Sequence, residues 1–168
     1  YWIEEVDDKI YFSVVDCTGH GVPGALVSVV GANSLNRCLM EFELRKPGDI
    51  LNKLSELVKE TFDKTDSNVR DGMDMALCCI DKQTRELTFA GAYNPLWIIR
   101  EGDDNAQKEF EDFNVIERKN KTFIEVKSNK RPIGYSYRSE PFTTTTMKLK
   151  EDDMIYLFSD GYADQFGG

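Results

Sequence analysis

Val14-Val15-Asp16-Cys17-Thr18-Gly19-His20-Gly21-Val22-Pro23 is the stretch on which the reading of this chain turns. An apolar strand runs out into an aspartate, glycines follow at 19 and 21, and an apolar segment with Pro23 near its start begins at once. Near the other end, Ile155-Tyr156-Leu157-Phe158 leads in the same way to Ser159-Asp160-Gly161. A carboxylate at the end of a buried strand, followed by backbone that can adopt positive φ and approach a ligand closely, suits a hard metal ion. Such a turn can offer the Asp16 carboxylate together with a main-chain carbonyl, and oxygen donors favour Mg²⁺ or Mn²⁺. Zinc is disfavoured, because the chain has one histidine and its four cysteines (Cys17, Cys38, Cys78, Cys79) lack zinc spacing. Taken alone, Asp16 would be read as a turn cap. A second turn of the same kind at Asp160 is what a metal site assembled from several strands requires.

Working outward, residues 1–16 read as a hairpin, with arms Tyr1–Glu4 and Ile10–Asp16 around a turn at Val6–Lys9. If the turn centres on Asp7-Asp8, paired positions sum to about fifteen, and the partner of Asp16 falls before Tyr1. Val22 to about Met40 reads as a helix with Pro23 in its first turn, apolar over most of its circumference and so buried on several sides. Lys46-Pro47-Gly48-Asp49 breaks the chain. Ile50–Thr65 then carries the amphipathic stripe Leu51, Leu54, Leu57, Val58 and Phe62. Strands follow at Met75–Ile80, Glu86–Ala90, Leu96–Arg100, Thr122–Lys127, Phe142–Leu149 and Met154–Phe158, with Glu101–Asn120 as an exposed polar loop or hairpin. Cys78 and Cys79, adjacent on a strand, point to opposite faces. A hairpin, two helices and many antiparallel strands make an α+β chain whose helices cover a sheet-rich core.

With 168 residues, the chain suits one domain, 1–168, with a substantial core. The net charge of -9 argues against nucleic acid, which demands a basic surface. No apolar run is long enough to span a bilayer, so membrane contact by this domain is not expected. Cysteine usage fits a reducing cytoplasm. His20, four residues from Asp16, could donate a proton to a leaving alkoxide or could be a hydrogen-bonded structural residue. The residues leave these two readings even.

Asp16-Cys17-Thr18-Gly19-His20-Gly21-Val22-Pro23-Gly24-Ala25-Leu26, Ala90-Gly91-Ala92-Tyr93-Asn94-Pro95-Leu96, Pro132-Ile133-Gly134-Tyr135 and Phe158-Ser159-Asp160-Gly161-Tyr162-Ala163-Asp164-Gln165-Phe166-Gly167-Gly168 together resemble the SpoIIE-like serine/threonine phosphatases. These are a bacterial branch of the metal-dependent phosphatases related to protein phosphatase 2C. The resemblance runs through nearly the whole chain. It implies an α-β-β-α sandwich of two antiparallel sheets flanked by helices, truncated at both ends. It also implies hydrolysis of phosphoserine or phosphothreonine by water activated with two Mn²⁺ or Mg²⁺ ions. By the resemblance Asp16 bridges the ions, Cys17 lends its backbone carbonyl, Asp160 ligates one ion, and His20 sits where a general acid has been assigned. Asn94, Asp74, Asp164 and Gln165 carry weaker expectations. Asn94 would shape the pocket floor or a plain turn, and Asp74 would line the site or satisfy a strand end.

Family members carry further acidic ligands before the equivalent of Tyr1 and after that of Gly168, so a fragment of a longer signalling protein, weakly active by itself, is expected. The implied partner is a phosphorylated regulatory protein of the anti-sigma-factor antagonist type. The implied setting is the cytoplasm, including the cytoplasmic part of a membrane-anchored sensor, and a homodimer is left open. Two alternatives stand beside this reading: a non-catalytic module that binds a regulator, and a hydrolase of small phosphoesters.

Overall fold

The computed structural model describes residues 1–19, 21–63, 72–101, 113–138 and 140–162. The chain opens with strands β1 (Trp2–Val6) and β2 (Lys9–Cys17), joined by Asp7-Asp8 alone. Both turn residues have positive φ, 53° and 59°, the conformation whose twist matches that of the flanking strands. Trp2 pairs with Ser13 and Val6 with Lys9, the register expected from a turn centred there.

Helices α1 (Gly21–Met40) and α2 (Pro47–Asp63) follow. The Lys46–Asp49 stretch, expected to break the chain, supplies the first turn of α2. Proline is pre-organised for the first helical position, and Ile50 N–H already bonds the Lys46 carbonyl at 3.0 Å. The expectation that α1 is buried on several sides does not hold. Its buried face is Gly24, Val27, Gly31, Ser34, Leu35, Cys38 and Leu39, while Val22, Leu26 and Val29 stay exposed. Small residues decide this. A Cβ on Gly31 would stand 2.9 Å from Met73 Cε, so the helix approaches the sheet by the side on which its side chains are shortest.

The remaining strands are β3 (Gly72–Asp81), β4 (Glu86–Ala92), β5 (Leu96–Glu101), β6 (Asn114–Arg118), β7 (Lys121–Val126), β8 (Ile133–Gly134), β9 (Thr145–Lys148) and β10 (Met154–Tyr156). They form two antiparallel sheets. The first has the order β1-β2-β3-β4-β9, with β8 paired to the start of β3; the second has the order β10-β5-β7-β6. The polar segment expected to be a loop or hairpin contains β6, which pairs with β7; residues 102–112 lie outside the described ones. Strand β8 has no counterpart in the sequence reading, because two residues carry no periodicity.

Side-chain alternation sorts the core into two layers. Tyr11, Met73, Met75, Leu77, Cys79, Ala90 and Ala92 pack against α1 and α2. Ala76, Cys78, Leu87 and Phe89 meet Leu96, Ile98, Ile124 and Val126 of the second sheet. Cys78 and Cys79 do part to opposite layers, and burial raises the thiol pKa of both. The two facing antiparallel sheets are those of the expected sandwich. The helices among the described residues cover the first sheet, and the outer face of the second leaves Ile116, Met154 and Tyr156 exposed. No helix among the described residues is long and apolar enough to cross a membrane.

Gly91, within the Ala90–Leu96 motif, is required by packing. A Cβ there would lie 2.5 Å from the Asn94 carbonyl oxygen and 2.7 Å from both Phe89 Cζ and Ser128 Cβ. Gly91→Ala is expected to cost about 1–3 kcal/mol, the range for overpacking a filled core. Urea denaturation would read this as a lowered midpoint with an unchanged slope.

Candidate metal centre at the end of the sheets

Strand β2 delivers Asp16 and Cys17 to the turn that precedes α1. Thr18 fastens this turn to the start of β3: its N–H donates to the Gly72 carbonyl at 3.0 Å, and its Oγ1 accepts from Gly72 N–H at 3.0 Å. Gly19 and Gly21 have φ of 85° and 66°, in the left-handed region. Gly24 lets the first turn of α1 sit on the loop, since a Cβ there would be 2.9 Å from the Gly19 carbonyl oxygen.

The register then sets the chemistry. Asp16 pairs directly with Asp74 across β2 and β3. Both share the alternation of Phe12, Ala76 and Cys78, so they stand on the face turned toward the second sheet. Like charges directly opposite on one sheet face are destabilising, so folding alone does not call for this pair. Asp160 opens a 3-10 turn, Asp160–Tyr162, shortly after β10 of the second sheet. Its charge reaches the same place. Burial first, and then the negative charges of Asp160 and Asp16, push the Asp74 carboxyl up to about 6. Residues from opposite ends of the chain thus act on one carboxyl at the edge of the inter-sheet layer.

Cys17 points the other way. It packs with the helical layer, and the Ser28 hydroxyl donates to its Sγ at 3.3 Å. Its thiol is therefore turned from Asp16. His20, Asp164 and Gln165 lie outside the described residues. Asn94 belongs to the tight β4–β5 turn: its N–H donates to the Ala92 carbonyl at 2.7 Å, and Tyr93 before it has φ of 60°. Asn94 Nδ2 is buried without a hydrogen-bond partner among the described residues.

The donor set fits a divalent cation in its chemistry. Asp16, Asp74 and Asp160 carry oxygen donors of the kind a divalent cation takes, and a cation near Asp74 would relieve the burial and like charge that raise its carboxyl pKa. Among the described residues, no group of three or more histidine, cysteine, aspartate or glutamate side chains is arranged so that it could hold a metal ion by itself. By sequence Asp74 is a weaker candidate, read either as lining the site or as satisfying a strand end; the β2–β3 register that places it opposite Asp16 is what sets it apart.

The sequence model described as stage II sporulation protein E (SpoIIE) matches residues 6–167. The chain belongs to the SpoIIE family. Among solved structures, the SiaA-PP2C domain of Pseudomonas aeruginosa is 26% identical with a TM-score of 0.75, over 99% of this chain and 57% of that one. The PP2C phosphatase domain of SpoIIE from Bacillus subtilis is 17% identical with a TM-score of 0.62, over 95% of this chain and 40% of that one. RsbX in complex with magnesium is 13% identical with a TM-score of 0.61, over 95% of this chain and 64% of that one. The fold of this SpoIIE-family chain is that of PP2C-like phosphatase domains, and the chain spans 57% of the length of the SiaA-PP2C structure. No curated protein sequence matches it.

Proposed function

We propose that this domain is a metal-dependent protein serine/threonine phosphatase that removes phosphate from a bacterial regulatory protein with activated water. The carrying observation is the β2–β3 register, which sets Asp16 directly opposite Asp74, a carboxyl that also feels the charge of Asp160. The SpoIIE-family match and the likeness to the SiaA-PP2C domain support the reaction class.

In this reading Asp16, Asp160 and the Cys17 carbonyl hold the metal, and Asp74 contributes a third carboxylate to the same cluster. When bound, Mn²⁺ or Mg²⁺ supplies Lewis acidity toward phosphoryl oxygens and lowers the pKa of water. His20 hands a proton to the departing serine or threonine oxygen. Two features of the chain orient the turn: the Thr18–Gly72 hydrogen bonds and the close seat of Gly24 on Gly19.

The experiment offers a phosphorylated anti-sigma-factor antagonist and a panel of small phosphoesters side by side, with Mn²⁺ or with EDTA. Phosphate release from the protein that EDTA abolishes is the expected result. Preference for small esters would move the assignment to a small-phosphoester hydrolase. Release from neither, in a protein that includes the flanking sequence, would leave only a binding module.

A further inference from the structure

A groove of about 470 Å³ lies between α2 and residues 131–141. Lys59, Arg131 and Arg138 line it, together with the hydroxyl residues Ser136 and Tyr137. In a chain with 30 acidic and 21 basic residues, three cations on one concavity need a reason. None of the three forms an ion pair with a described residue. Glu56, the acidic residue of the lining, is engaged by Lys53 at 2.9 Å.

Arg131 is the built part of the site. Its guanidinium lies 4.3 Å over the Phe142 ring and donates to Ser55 Oγ at 3.3 Å and to the Glu140 carbonyl. These contacts, to a ring, a hydroxyl and a main-chain carbonyl, hold the plane in place. Its Nε–H is buried without a hydrogen-bond partner among the described residues. Burial lowers the pKa of Arg131 and the negative charge of Glu140 opposes the shift, yet guanidinium stays protonated in proteins. Arg131 lines the groove, and Nη1 and Nη2 each keep a second N–H beyond the bonds just given, so an anion in the groove can accept from a guanidinium that no described carboxylate pairs. Lys59 and Arg138, both exposed, complete a charged rim. The wall of the groove is also tied to the turn before α1. Ser55 Oγ accepts from Gly134 N–H at 3.0 Å, Gly134 pairs with Gly72, and Gly72 bonds Thr18.

We propose that this groove is an anion-binding site for a phosphate-class dianion, held by the Arg131 fork with Lys59 and Arg138 closing over it. Three positive groups and neighbouring hydroxyls suit a tetrahedral oxyanion. The volume exceeds that of bare phosphate and leaves room for a group that carries it. Free phosphate and a phosphorylated side chain share this chemistry.

The test is an NMR titration in EDTA, which keeps it independent of the carboxylate cluster. Inorganic phosphate is added in one arm and a phosphoserine peptide in the other, against chloride at matched ionic strength. Saturable shifts of the Arg131 Nε–H and of the backbone amides of 134–138 are expected in at least one arm, and the arm that responds more strongly names the source. Because Arg131→Gln removes a packed side chain, the deciding variant is Lys59→Gln combined with Arg138→Gln, both at exposed positions. It should weaken the response by about tenfold or more, as loss of charge-assisted contacts does. Three results would overturn the proposal: no shift with either ligand, shifts equal to those with chloride, or a response unchanged in the double variant.

Discussion

Asp16→Asn, in the domain with its flanking sequence, loses roughly 100-fold or more of its Mn²⁺-dependent phosphatase activity while keeping its fold. The floor on the effect comes from outer-shell partners of metal sites, whose loss costs about 10–100-fold, so a ligand should cost more. The fold survives because asparagine has the same shape and because the native carboxylate is a liability. Asp16 faces Asp74 directly across the strands, and its charge helps raise the Asp74 carboxyl to about 6. Removing one of two like charges on a sheet face relieves repulsion. In EDTA the variant should melt no lower than the native protein. Adding Mn²⁺ should raise the melting temperature of the native protein and leave that of the variant almost unmoved, since only a ligand bound to the folded state stabilises it. A variant that retained activity, or that lost it by unfolding, would place Asp16 in the scaffold and not in the site.

The second large effect lies away from the cluster. Arg100 of β5 and Asp153, just before β10, form a bidentate pair: Nε to Oδ1 and Nη2 to Oδ2, each at 2.8 Å. Their side chains are 2% and 1% exposed. Asp153 Oδ2 also accepts from the Lys150 N–H at 2.8 Å, and Arg100 Nη2 reaches the Lys148 carbonyl at 3.2 Å. The pair therefore pins the passage from β9 in the first sheet to β10 in the second. Asp153→Ala strips the buried guanidinium of its carboxylate and should cost about 3–5 kcal/mol. Against a total of about 5–15 kcal/mol for an ordinary domain, that is a large fraction. Urea denaturation would show it. Asp153→Asn, which keeps an acceptor, should fall between. The strand released is the one that leads to Asp160, so Mn²⁺ binding should weaken as well. A midpoint unchanged in Asp153→Ala would mean that the buried pair is replaceable by water.

The elements whose geometry is local are legible in the sequence. Asp7-Asp8 between alternating apolar residues sets the first hairpin and its register, and Trp2 does face Ser13. The stripe Leu51, Leu54, Leu57 and Val58 marks the buried face of α2. Packing decides what pattern cannot. On α1 the large residues Leu26 and Val29 face out because Gly24 and Gly31 permit the closer contact. Strand β8 consists of Ile133 and Gly134, held by Gly72 and Met73 of another strand. The candidate site divides in the same way. Asp16 and Asp160 announce themselves as strand ends before glycine. Asp74, a weaker candidate by sequence, gains its place opposite Asp16 only once β2 and β3 pair, and the Lys59–Arg131–Arg138 groove exists only once α2 lies beside residues 131–141.

The most direct test of the central claim, that Asp16, Asp74 and Asp160 together grip a divalent cation, is a Mn²⁺ titration followed by the EPR signal of the free ion. It would compare the native domain, with its flanking sequence, against Asp16→Asn, Asp74→Asn and Asp160→Asn. Saturable binding in the native domain, weakened in each of the three variants, is the predicted result. Binding of equal strength in all four proteins, or none in the native domain, would contradict it.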